Sequence, residues 1–95
     1  LNVDSNQARK ALVAFVIERE LLKIGKMAFD QVTSRLYEQY RCYLGDCYEH
    51  PEYLAEVLKR LFGNSHTIIV ESIKKELADF IEHKQIERFL KIISG

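Results

Sequence analysis

The sequence predicts an all-α fold, a compact bundle of four or five helices forming a single domain over residues 1–95. Three observations predict it. Apolar residues recur at helical spacing along almost the whole chain. Gly25, Gly45, Pro51 and Gly63 fall between the periodic segments, where helices start and stop. The one β-branched run, Thr67 to Val70, continues at helical spacing and has no partner strand, so it reads as helix too.

Each helix follows from its own residues. Asp4 or Ser5 can cap the first, expected over about 5–23, and Gly25 stops it. The second, about 26–43, carries Ala28, Val32, Leu36 and Tyr40 along one stripe and ends at Leu44-Gly45-Asp46. Pro51 suits the first turn of the third, about 51–62, because its missing amide would be unpaired there anyway. Leu54, Val57, Leu58 and Leu61 form its buried face, and Gly63 closes it. Asn64 or Ser65 caps a fourth helix over 66–82, with Ile69, Ile73, Leu77 and Phe80 or Ile81 inward. A break near His83 leads into a fifth over 84–94, with Ile86, Phe89, Leu90 and Ile93 inward.

Composition excludes several classes of function. Lys plus Arg and Asp plus Glu each number 14, and both halves of the chain are close to balance, so no net field draws in phosphate backbones or anionic lipid. The longest apolar run, Ala11 to Ile17, is far shorter than the roughly 20 residues that span a bilayer, so no membrane partner is expected. Two cysteines, Cys42 and Cys47, fall short of a disulfide scaffold, and no secretory signal is visible. A cytoplasmic location is therefore expected. Leu1 is not an initiator methionine, which fits a processed protein or a piece of a longer one.

The stretch Tyr48-Glu49-His50-Pro51-Glu52-Tyr53-Leu54, followed by Leu58 and by Leu61-Phe62-Gly63-Asn64, resembles a known family. It is similar to the small helical output domains of archaeal signalling proteins called Nitrosopumilus output domain, class five. In that family a Gly-started helix with a hydrophobic stripe, here Gly25 to Leu44, precedes an acidic residue and a proline that open the next helix, which ends in Phe-Gly. The resemblance covers roughly residues 22–81. It implies a regulatory or sensory accessory domain and carries over no catalytic residues.

Cys42, Cys47 and His50 offer three zinc-ligand types, but the cysteine spacing is one residue too long and a fourth ligand would have to come from His66 or His83. Reduced, packed cysteines are the expectation, with no metal and no cofactor. The five tyrosines lie between Tyr37 and Tyr53. Tyr40, Tyr43 and Tyr53 are expected at the core, leaving Tyr37 and Tyr48 as a partner patch. Helices three and four form the alternative reading, a helix-turn-helix DNA-binding regulator. The first half of its recognition helix supplies Ile68, Ile69, Val70 and Glu71 instead of basic groups, so nucleic acid is not expected. No nucleophile elbow, phosphate loop or paired-histidine metal motif is present, and enzymatic activity is not expected.

Helix one points to association. Seven consecutive apolar residues surround a helix that turns by about 100° per residue, so one buried stripe cannot hide them all. Val13, Ala14, Ile17, Leu21 and Ile24 are assigned to the core. Ala8, Leu12, Phe15, Val16 and Leu22, with Arg19 near their centre, are assigned to a homodimer interface in which Arg19 reaches Glu18 or Glu20 of the partner. The expected function is a small interaction or signalling output domain acting by association, without catalysis.

Overall fold

Helix α1, Ser5–Ile24, is the longest element in the computed structural model of the protein, which describes residues 5–95. Gly25 follows at φ 156°, a conformation that strains any residue with a side chain, and its amide donates to Leu21 O at 3.1 Å. Helix α2, Lys26–Tyr40, then packs back on α1 through Ala28, Val32 and Leu36.

Helix α2 stops three residues earlier than its periodicity predicts. Arg41 takes the left-handed conformation (φ 51°, ψ 41°), its amide donates to Tyr37 O, and the Cys42 amide reaches back to Leu36 O at 3.3 Å. The Arg41–Tyr37 bond is that of an αL closure, with arginine in the place that glycine usually holds. Gly45, the expected stop, lies instead inside a 3-10 turn over Leu44–Tyr48. Asp46 opens that turn: its carboxylate accepts the Tyr43 amide at 2.9 Å while its own amide donates to Tyr43 O.

Helix α3, Pro51–Phe62, begins on its proline as predicted and ends at Gly63, whose φ of 57° favours glycine. A short turn, Gly63–Ser65, leads into α4, His66–Leu77. The fourth helix is shorter than the 66–82 expected from its pattern, since the chain tightens to a 3-10 turn over Ala78–Phe80. Phe80 and Ile81 consequently face outward, where the pattern had placed one of them inside. Helix α5, Lys84–Ser94, starts at the predicted break, with the Ile86 and Glu87 amides both donating to His83 O.

The fold is therefore an all-α helical bundle, without strands among the described residues. Its core draws fully buried side chains from every helix: Ile17 and Leu21 of α1, Leu36 of α2, Leu54 and Leu58 of α3, Ile73 and Leu77 of α4, Ile86, Phe89 and Ile93 of α5. Polar contacts tie the 3-10 turn to its neighbours. Lys10 Nζ lies 2.9 Å from Glu49 and 3.4 Å from Asp46, and Arg9 Nε donates to Tyr48 Oη at 3.1 Å. Among the described residues no helix is long and apolar enough to cross a membrane.

Candidate association surface

The two faces of α1 separate sharply. Val13, Ile17 and Leu21 sit in the core as predicted, while Phe15 is 58% exposed and Leu22 46% exposed. Ala8 is exposed between the helix start and Phe15, and Leu12 is half-buried beside it. Arg19 is exposed within the same stripe. Two assignments change. Val16, expected at the interface, is 4% exposed and joins the core, because it stands about 100° round the helix from Phe15 and meets the bundle. Ile24, expected inside, is exposed, because the helix ends there and Gly25 carries the chain away.

Charge on α1 is distributed just as unevenly. Arg9 and Lys10 are bound to the 3-10 turn as described. Glu20 is buried with its carboxylate 3.0 Å from Lys23 Nζ, which also lies 3.7 Å from Glu76 of α4. Glu20 thus serves inside the molecule, and of the two carboxylates considered for Arg19 of a partner only Glu18 faces outward. Within the described residues Glu18 and Arg19 are the charged side chains of α1 that make no ion pair or hydrogen bond. Where α1 meets the turn before α5, Ser5, Ala8, Arg9, Leu12, Phe80 and His83 line an open cleft of about 450 Å³. Phe80 extends the apolar stripe sideways there.

The tyrosine patch is not assembled as expected. Tyr48 is buried, and its hydroxyl donates to Gln85 Oε1 while accepting from Arg9, so it joins the turn to α1 and α5 and offers nothing to a partner. Tyr37 remains exposed, and its neighbour is Tyr43, 66% exposed, with ring centroids 5.5 Å apart and the Arg41 guanidinium 5.0 Å from the Tyr37 ring. The helical spacing of α2 predicts Tyr43 in the core. It leaves the core because the left-handed Arg41 ends α2 before it, an event with no glycine to signal it. Tyr40 and Tyr53 are half-buried and stack at 4.1 Å, and the His50 ring also stacks on Tyr53 at 4.9 Å. The Tyr40 hydroxyl donates to Glu56 at 2.6 Å, which raises its pKa above the usual phenol value.

Cys42 and Cys47 are free, buried thiols that both donate to Tyr43 O, at 3.4 and 3.8 Å. Burial pushes both thiols up, Cys47 far above its ordinary value, so neither is an activated nucleophile. His50 Nδ1 faces Glu52 at 3.4 Å, not the thiols. Among the described residues no group of three or more His, Cys, Asp or Glu side chains is placed to hold a metal ion. In α4 the helix-turn-helix reading finds Ile68 and Glu71 outward, with Lys74 held to Glu71 at 3.3 Å. No family model, curated protein or solved structure matches this chain.

Proposed function

We propose that this chain is a non-catalytic association domain, a regulatory or output module of the kind its resemblance to archaeal output domains implies, with a second copy of itself as its partner. The observation that supports this reading is the outward stripe of α1. Phe15 and Leu22 are large apolar side chains held in water on a rigid 20-residue helix whose opposite face is committed to the core. Such a stripe has little structural use in a monomer and suits a helix-to-helix contact. The packed interior, the inert thiols and the dispersed histidines favour binding over chemistry.

Sedimentation equilibrium tests the reading. The protein at about 200 μM, a concentration suited to a small interface, is expected to show dimer mass, and Phe15→Glu is expected to return it to monomer with its helical circular dichroism intact. Monomer mass for the unaltered protein at that concentration overturns it.

A further inference from the structure

We infer that the second copy docks parallel, about a two-fold axis running along α1, and that reciprocal Glu18–Arg19 ion pairs select this arrangement. The inference rests on the association reading above and specifies the geometry of that same surface. Ala8, Phe15 and Leu22 recur every seven residues, the repeat with which two helices stay in register along a shared seam. At about 100° per residue, Ala8 and Leu22 stand within about 20° of Phe15, so the three form one line along the helix. The two charges left without partners flank that line. Glu18 stands about 60° to one side of it and Arg19 about 40° to the other, one residue apart in height.

Symmetry decides what each flank meets. A two-fold axis parallel to the helices brings the left flank of one copy against the right flank of the other at the same height. Glu18 then meets Arg19 of the second copy, Arg19 meets Glu18, and Phe15 and Leu22 meet their own counterparts. An axis perpendicular to the helices, which makes the pair antiparallel, brings like flanks together. Centred near Glu18 and Arg19, that arrangement opposes arginine to arginine and glutamate to glutamate. Moved along the helix, it lays Arg19 over Leu12, with no carboxylate of α1 itself on that flank. Among the charges that α1 itself supplies, the parallel pair is the arrangement that satisfies both next to the apolar line, and like-charge contact counts against the other orientation when it is centred near them.

Area sets the strength. A face about 30 Å long on a single helix offers roughly half of the ~800 Å² per partner that a standard stable interface buries. Phe80, beside Leu12 on the Arg19 flank, widens it toward Ala11 of the second copy. The pair is therefore expected to be reversible in the micromolar range.

Charge exchange tests the arrangement. Sedimentation equilibrium would compare the unaltered protein with Glu18→Arg, Arg19→Glu and the double variant, all at exposed positions, with circular dichroism checking the fold. Each single reversal is expected to weaken dimerisation by about tenfold or more, and the double variant to restore it to within about threefold. Ala8→Cys and Leu22→Cys, introduced separately, are each expected to form same-site disulfides between copies on mild oxidation, located by peptide mapping. A dimer that survives the single reversals unchanged, is not restored in the double variant, or cross-links at neither position overturns the parallel arrangement while leaving the association reading standing. Monomer mass for the unaltered protein removes that reading as well.

Discussion

The hydroxyl of Tyr48 donates to Gln85 Oε1 at 2.5 Å, and the same phenol oxygen accepts a hydrogen bond from Arg9 Nε. One phenol therefore links α1, the 3-10 turn and α5, three segments far apart in the chain. Tyr48→Phe keeps the ring in place and strands both partners at a part-buried site, so it is expected to cost about 1–2 kcal/mol of stability. Urea unfolding would measure it. A change below about 0.3 kcal/mol, within the range of ordinary surface substitutions, would show that water replaces the link without loss.

Leu58 has no exposed surface and stands in the middle of α3's inner face. Leu58→Ala should destabilise the domain by about 2–5 kcal/mol, the transfer cost of the lost side chain plus the cavity left behind. Thermal melting of the purified variant checks this, and a loss under about 0.5 kcal/mol would place the helix face elsewhere.

Arg41 is the described non-glycine residue with positive φ. Arg41→Gly removes a backbone conformation that costs an L-residue about 1–2 kcal/mol, and gives up an exposed cation–π contact with Tyr37 of about 0.5–1 kcal/mol. The balance favours the variant, which is expected to gain up to about 1 kcal/mol in denaturant unfolding. A net loss would mean that the ring contact outweighs the backbone relief.

The buried thiols set an alkaline limit. Cys42 and Cys47 have folded pKa values raised above the unfolded value of 9.0, chiefly because burial disfavours the thiolate. A raised folded pKa stabilises the fold fully below the unfolded pKa, and that contribution is lost as pH rises above it, because the unfolded chain releases protons that the folded chain holds. Melting temperature should accordingly fall between about pH 8.5 and 10.5, more steeply in the unaltered protein than in Cys42→Ala/Cys47→Ala. Equal slopes would assign the fall to other groups.

The residues that were legible in advance are those whose chemistry is local. Pro51 opens a helix because it lacks an amide, Gly63 closes one at positive φ, and the Ile86, Phe89 and Ile93 spacing marks the inner face of α5. The end of α2 was not legible, because Arg41 adopts a glycine conformation without being glycine, and nearby Gly45 offered a false stop. That displacement carries Tyr43 out of the core. On α1, Phe15, Arg19 and Leu22 were readable as an outward stripe from angle alone. Val16 was not, because a residue at the border of two faces goes wherever a neighbouring helix happens to reach. Tyr48 was misread for a related reason: its partners Arg9 and Gln85 lie 39 and 37 residues away, beyond any local pattern.

Helix α1 supplies Val13, Ile17 and Leu21 to the interior with one face and holds Phe15 and Leu22 in water with the other. The second copy proposed for the outer face would therefore also clamp the longest element of the interior. In that dimer, occupancy and unfolding would draw on the same free energy, and the melting temperature would become a function of concentration, rising as the second copy accumulates. In a cell, dilution alone would then lower the domain's resistance to proteases, and abundance would report on assembly.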